Sequence, residues 1–127
     1  MSSVNATEKS NSKEQKSIVQ NVCLQSDLVA NSGITALVDG QQIALFYITK
    51  PEPKVYAIGN YDPFSKTNIL SRGIVCEING RLSVASPMYK QHFDLTTGEC
   101  LEDSNISVPV FTANIVVEHV QLGMNDS

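Results

Sequence analysis

Short runs of alternating apolar and polar residues follow one another along most of this chain. The runs with strand character are 18–24, 35–38, 42–48, 55–58, 75–78, 82–85, 91–95, 100–102, 108–111 and 114–120. Three pairs of runs flank the dipeptides Asp39-Gly40, Asn79-Gly80 and Thr97-Gly98. Asp-Gly and Asn-Gly favour the positive φ angles of tight hairpin turns, so these pairs predict β-hairpins. We therefore predict an all-β fold, an antiparallel sandwich or barrel built from hairpins.

The two ends of the chain lack this pattern. Residues 1–17 are rich in Ser, Asn, Lys, Glu and Gln, and after Met1 their only large apolar residue is Val4. Such a segment cannot bury enough apolar area to offset the entropy cost of ordering it. We therefore predict a disordered polar tail over 1–17, one folded domain over 18–122 and a frayed end over 123–127. Within the domain, 62–73 reads as a loop with one short turn at 69–72.

Composition and charge exclude several classes of function. The net charge of −4 argues against a broad nucleic-acid footprint. No segment reaches the roughly 20 apolar residues that cross a membrane, and the first residues lack the apolar stretch of a secretory signal. Cys23, Cys76 and Cys100 are odd in number and widely spaced, which indicates reduced thiols rather than a disulfide framework. We therefore expect a cytoplasmic protein that binds neither nucleic acid nor membrane.

No sequence pattern of a known catalytic or metal site is present. The chain contains no Gly-x-Ser-x-Gly elbow, no phosphate-binding glycine loop and no Cys-x-x-Cys pair. Its two histidines, His92 and His119, are far apart and lie on strand-like runs, where surface positions are the ordinary interpretation. We assign no catalytic residue and no metal ligand.

Positive charge is concentrated in the middle of the chain. Between residues 66 and 90, Lys66, Arg72, Arg81 and Lys90 face Glu77 alone, a local balance of four minus one, or +3. Two interpretations remain open, an ordinary solvated surface and a basic face suited to an acidic partner.

Five further segments carry a specific pattern. They are Ala57-Ile58-Gly59-Asn60-Tyr61-Asp62-Pro63-Phe64, Leu70-Ser71-Arg72-Gly73, Val84-Ala85-Ser86-Pro87, Lys90-Gln91-His92-Phe93 and Gly98-Glu99-Cys100-Leu101-Glu102-Asp103. At this spacing the chain, over roughly residues 18–122, closely resembles the small subunit of NAD(P)H-dependent assimilatory nitrite reductase. Val19 departs from the family pattern, in which many members carry Trp. The resemblance implies a fold similar to that of Rieske ferredoxins.

The same resemblance implies that the metal ligands of a Rieske domain have been replaced. A Rieske cluster takes two Cys and two His ligands, arranged as Cys-x-His in one loop and Cys-x-x-His in the next. Here Asp62 and Phe64 stand in place of the first pair, and Ser86 and Tyr89 in place of the second. Carboxylate and hydroxyl oxygens are hard donors and phenylalanine is no donor, so an iron–sulfur cluster has no soft ligand left. We therefore expect no cofactor in this chain, which disfavours an electron carrier with its own cluster.

The resemblance further implies a role in a complex. The large subunit of such a reductase carries FAD, an iron–sulfur cluster and sirohaem and reduces nitrite to ammonium, whereas the isolated small subunit is not expected to be catalytic. We hypothesise that the two former cluster loops dock on the large subunit. The candidate docking residues are Tyr61, Phe64, Lys66, Arg72, Met88, Tyr89 and Lys90. Phe64 has a second interpretation, packing the loops together where the metal once did. The alternative function is a free-standing Rieske-like module that binds another oxidoreductase or protein partner.

Overall fold

A computed structural model describes residues 17–125 of the chain. Residues 1–16 of the predicted tail and the last two residues, 126–127, lie outside the described residues. The described strands are β1 (Ser17–Leu24), β2 (Ser32–Val38), β3 (Gln41–Ile48), β4 (Lys54–Gly59), β5 (Tyr61–Asp62), β6 (Thr67–Asn68), β7 (Ile74–Ile78), β8 (Arg81–Ala85), β9 (His92–Asp94), β10 (Glu99–Cys100), β11 (Asp103–Ser107), β12 (Val110–Val116) and β13 (His119–Asn125). Two short 3₁₀ helices cover Gln25–Asp27 and Leu70–Arg72. The prediction of an all-β fold is confirmed.

The strands form two main sheets. Six strands make a curled sheet in the order β1-β13-β12-β4-β3-β2, and five make a second sheet in the order β11-β10-β9-β8-β7. Gln20 on β1 donates a hydrogen bond to Asp39 in the turn after β2, 3.0 Å away, so the two edges of the curled sheet approach each other. A small β5–β6 hairpin projects beyond the end of β4. Within the described residues, no helix is long and apolar enough to cross a membrane.

Strand β3 lies between the two hydrophobic layers of the domain. Ile43 and Leu45 face the interior of the curled sheet, where they pack with Val38 and Val120. The alternate residues Ala44, Phe46 and Ile48 face the second sheet. The buried partners of this second layer are Ile58, Leu70, Val84, Phe93, Leu95, Cys100 and Val108. Burial on both faces explains why β3 reads as an almost continuous apolar run.

The predicted turn dipeptides connect the paired strands of hairpins. Asp39 and Gly40 have φ angles of 52° and 79°, and Asn79 and Gly80 have 52° and 81°, as a type I′ turn requires. At the third site Gly98 has a φ of 80°. Its connection between β9 and β10 is longer, because the Asp94 carboxylate caps the backbone N–H groups that follow it.

The end of the chain differs from the prediction. The predicted strand 114–120 is interrupted by Val117 and Glu118, whose φ angles of 48° and 68° turn the chain between β12 and β13. A β-branched residue rarely adopts this conformation, so no turn signal was visible in the sequence. Strand β13 then continues to Asn125, paired with Ser17 of β1. Residues 123–125, predicted to fray, and Ser17, predicted to belong to the tail, are held by this pairing.

A charged network ties the far end of the second sheet together. The Asp94 carboxylate accepts hydrogen bonds from Thr96 N at 2.7 Å, Thr97 N at 3.0 Å and Arg81 Nε at 2.8 Å. Arg81 Nη2 also donates to Glu99 Oε1 at 2.9 Å. Burial raises the pKa of Asp94, but the donors on Thr97, Arg81 and Thr96 outweigh it and hold that pKa below its ordinary value.

The lowered pKa of Asp94 predicts an acid-sensitive contribution to stability. A carboxyl group whose pKa is lower in the folded state stabilises the fold above its unfolded pKa of about 3.9. That contribution is lost as the pH falls through the folded pKa. We expect Asp94→Asn to lower the free energy of unfolding at neutral pH and to flatten its decline below about pH 4, measured by urea denaturation. Glu77→Gln on β7 is the control, and equal acid sensitivity in the Asp94 variant and the wild type would contradict the assignment.

Candidate functional site

Two neighbouring loops at one end of the domain contain the positions predicted to have lost their metal ligands. We call them the tip; they comprise residues 60–68 and 86–91. Asn60 anchors the first loop, because its backbone N and its Nδ2 donate to the O and Oε1 of Gln42 at 3.1 and 3.0 Å. Its own Oδ1 accepts from Ser71 N at 2.7 Å, and its O accepts from Leu70 N at 3.1 Å. The first loop is thus fixed to β3 and to the second 3₁₀ helix.

Asp62 and Ser86 join the two loops directly. Both residues are fully buried. Ser86 Oγ donates a hydrogen bond to Asp62 Oδ2, and Phe64 N donates to the other carboxylate oxygen at 2.8 Å. The backbone N of Met88 approaches Ser86 Oγ at 3.4 Å. The two positions that the resemblance equates with cysteine ligands are therefore in contact with each other, so the loops are held together without a bridging group.

Each loop is closed by a lysine in the left-handed backbone region. Lys66 N donates to Asp62 O at 2.7 Å, and Lys90 N donates to Ser86 O at 3.1 Å. Their φ angles are 60° and 67°, and both side chains are exposed. A residue with a Cβ costs about 1–2 kcal/mol in this conformation relative to the right-handed one. Both turns therefore carry backbone strain on a charged, solvent-facing residue.

The predicted docking residues separate into exposed and packed positions. Tyr61, Met88 and Tyr89 are 48%, 58% and 57% exposed. Phe64 is half-buried, and its ring centroid lies 6.2 Å from that of buried Phe93, with the planes tilted by 51°. A tilted aromatic pair at this distance stabilises the contact beyond simple burial. Phe64 therefore packs the first loop on the core.

Arg72 stands beside the second loop. It ends the second 3₁₀ helix, and its side chain is exposed. The next residue, Gly73, packs so closely on β8 that a Cβ there would lie 2.3 Å from the carbonyl oxygen of Ala85. Because Ala85 immediately precedes Ser86, this approach brings Arg72 to the tip. The backbones of Lys66, Arg72 and Lys90 thus lie at the same end of the domain.

The donor set does not fit a [2Fe–2S] cluster. Cys23, Cys76 and Cys100 lie on β1, β7 and β10, outside the two loops. Burial raises the pKa of the Cys100 thiol, which disfavours the thiolate that a metal needs. His92, predicted at the surface, is half-buried, and its Nδ1 lies 2.6 Å from Glu102 Oε2. Within residues 17–125 no three His, Cys, Asp or Glu side chains are grouped to hold a metal.

A shallow pocket beside the first loop escaped the sequence-based prediction. It has a volume of about 440 Å³, and its apolar lining includes Leu37, Tyr61, Pro63 and Pro109. Leu37 is 71% exposed. Period-two alternation on β2, with Ala36 and Val38 buried, could have placed this large apolar side chain outside. The pocket extends the apolar surface of the tip towards the β2–β3 hairpin.

Known proteins share this chain's fold and much of its sequence. The family model of the Rieske-like [2Fe-2S] domain matches residues 19–123. The nitrite reductase (NADH) small subunit of Salmonella typhimurium is 42% identical over 103 residues, which are 81% of this chain and 94% of that protein. The NMR structure of the E. coli protein NirD matches with a TM-score of 0.79 at 37% identity. The match covers 87% of this chain and 100% of the NirD chain.

A much longer relative contains a segment similar to this chain. The nitrite reductase [NAD(P)H] large subunit of Klebsiella oxytoca is 32% identical over 104 residues. The alignment spans 82% of this chain but 11% of that protein. A domain of this kind therefore also occurs inside a polypeptide that is named a large subunit.

The contact between the loops predicts a measurable role for Ser86. We expect Ser86→Ala to lower the free energy of unfolding by about 1–3 kcal/mol, because it leaves the buried Asp62 carboxylate short of a donor. Amide hydrogen exchange at Lys66 and Lys90 should accelerate, since their acceptors belong to the two joined residues. Ser104→Ala, at an exposed position of β11, should change stability by less than about 0.5 kcal/mol. Unchanged stability and exchange in Ser86→Ala would show that this bond does not hold the tip together.

Proposed function

Since this chain belongs to the Rieske-like domain family and, within it, to the nitrite reductase (NADH) small subunits, we propose that it is a metal-free accessory subunit that docks on the catalytic large subunit. The complex reduces nitrite to ammonium with NADH or NADPH, in the assimilation of nitrate and nitrite. In this proposal FAD, an iron–sulfur cluster and sirohaem reside in the large subunit, and the small subunit supplies no catalytic residue.

The bond between Asp62 and Ser86 is the observation that carries this proposal. In a Rieske electron carrier the two loops must hold iron between them with soft ligands. Here a carboxylate and a hydroxyl close the same gap directly, and Phe64 turns towards Phe93. An intact tip without soft donors favours a surface that binds over a centre that transfers electrons.

The relative from Klebsiella oxytoca supports the choice of partner. A segment similar to this chain is there part of a polypeptide named as a large subunit. A covalent connection keeps two domains at a high effective concentration, so they stay associated even through a weak interface. A separate chain must reach the same position through its own contacts. The expected partner is therefore a large subunit that lacks this segment.

The tip has the features of a protein-binding surface. Tyr61, Met88 and Tyr89 supply exposed apolar and aromatic side chains, which often dominate binding energy. Lys66 and Arg72 lie around them and would steer an acidic partner towards the tip. We place the complex in the cytoplasm, where free thiols such as those of this chain remain reduced.

Co-expression with the large subunit of the same organism tests the function. We expect a stable complex whose NAD(P)H-dependent nitrite reduction falls when the small subunit is omitted and recovers when purified small subunit is added. The small subunit purified alone should contain no iron and show no absorption above about 400 nm, as expected for a protein without a cluster. A reductase that is fully active alone and does not bind the chain would contradict the accessory role. In that case another partner, as in the free-standing alternative, would have to be sought.

Alanine variants at Phe64 and Met88 separate packing from docking. We expect Phe64→Ala to lower the free energy of unfolding by about 2 kcal/mol, because it removes a half-buried ring from Phe93. Met88→Ala should change stability by less than about 0.5 kcal/mol but weaken binding to the large subunit roughly fivefold. Urea denaturation and calorimetric titration provide the two measurements. Lost binding at unchanged stability in Phe64→Ala would instead identify Phe64 as a docking residue.

A further inference from the structure

The two loops of the tip repeat one construction. In each, the residue that joins the loops, Asp62 or Ser86, accepts a backbone hydrogen bond from the residue four positions later. That residue is Lys66 in the first loop and Lys90 in the second. Both lysines have positive φ angles, 60° and 67°. The two turns are therefore matched, and one hydrogen bond fixes them to each other.

Lysine is a poor choice for this backbone position. Glycine adopts a positive φ without strain, and Asn and Asp tolerate it better than other residues. Glycine at either position would close the same turn, because the turn uses only the backbone N–H. Strained residues of this kind are concentrated at sites that clamp a ligand or partner. A charged side chain placed twice on a strained backbone indicates that the charge itself is used.

The charges of the two lysines are not neutralised within the described part of the chain. Lys66 and Lys90 are exposed, and neither forms an ion pair with any of residues 17–125. Asp62 supplies the carboxylate of the first loop. It is fully buried and directed at Ser86 and at the backbone of Phe64. A local excess of positive charge thus lies at the tip of the domain, although the net charge of the chain is −4.

We propose that Lys66 and Lys90 form a two-point clasp for a carboxylate-bearing segment of the nitrite reductase large subunit, an inference that rests on the proposed function. Because Asp62 and Ser86 are bonded to each other and each accepts the backbone N–H of one lysine, the two lysines extend from neighbouring turns. The clasp therefore suits a partner segment that carries acidic side chains close to each other. Arg72, beside the second loop, adds attraction at longer range.

The surrounding charge favours an acidic protein segment over a nucleic acid. A nucleic acid presents continuous negative charge and needs an extended basic surface. The tip is basic although the net charge of the chain is −4, so the remaining residues carry net negative charge and would repel a long polyanion. A short acidic segment of a folded protein can contact both lysines without extending over the rest of the domain.

Charge reversal with a matched control tests the clasp. We compare Lys66→Glu/Lys90→Glu with Lys50→Glu/Lys54→Glu, which makes the same change in net charge between β3 and β4 and at the first residue of β4. Calorimetric titration against the purified large subunit, at about 0.05 M and about 0.5 M salt, gives the affinities. We expect the tip variant to lose about 100-fold in affinity at low salt and the control less than about threefold. Wild-type affinity should fall with salt, and that of the tip variant should not.

A glycine variant keeps the result independent of folding. Lys66→Gly/Lys90→Gly should raise the melting temperature, because it relieves both strained turns, and should still weaken binding about tenfold. Wild-type affinity in either tip variant, or equal losses in the tip and control reversals, would overturn the clasp while leaving the accessory role intact. Failure of the wild-type chain to bind the large subunit at all would overturn the proposed function, and the clasp with it.

Discussion

Burial of β3 on both of its faces is the constraint on which the rest of the domain depends. Leu45 packs inside the curled sheet, and its neighbour Phe46 packs against the second sheet. A slip of one residue in the pairing of β3 would exchange these two sets of side chains, so both layers specify one register. The same register positions Gln42, which holds Asn60 at the start of the tip. The geometry of the tip is thus inherited from the core rather than made by the loops alone.

The sequence predicts the elements whose cause is local and misses those whose cause is tertiary. Asp39-Gly40 and Asn79-Gly80 adopt the turn conformation that their own backbone preferences favour. Val117 and Glu118 turn against their preferences, supported by contacts such as the hydrogen bond from Gln25 N to Glu118 O at 2.8 Å. Strand β11, of sequence Asp-Ser-Asn-Ile-Ser, has no apolar alternation and forms because β10 pairs with it. Such elements cannot be seen before their partners are known.

The same distinction applies to the site. The prediction that no cluster binds rests on the residue types at Asp62 and Ser86, which the sequence shows directly. Their direct contact could not be predicted, because Asp62 and Ser86 are 24 positions apart in sequence and meet only in the folded chain. The inward turn of Phe64 likewise depends on the position of Phe93 across the fold. Residue chemistry therefore predicts which donors the two loops offer, and only the folded arrangement reveals that two of them contact each other.

The contact between Asp62 and Ser86 also bears on how long the chain stays bound to a partner. A carboxylate and a hydroxyl have a single oxidation state, unlike iron, whose charge changes each time an electron passes. A mobile electron carrier benefits from this change, because it can bind in one state and leave in the other. In the proposed complex, the Asp62 carboxylate and the Ser86 hydroxyl that close the tip would keep the same oxidation state while electrons pass to nitrite. Such a surface suits a resident subunit that stays bound through the whole cycle.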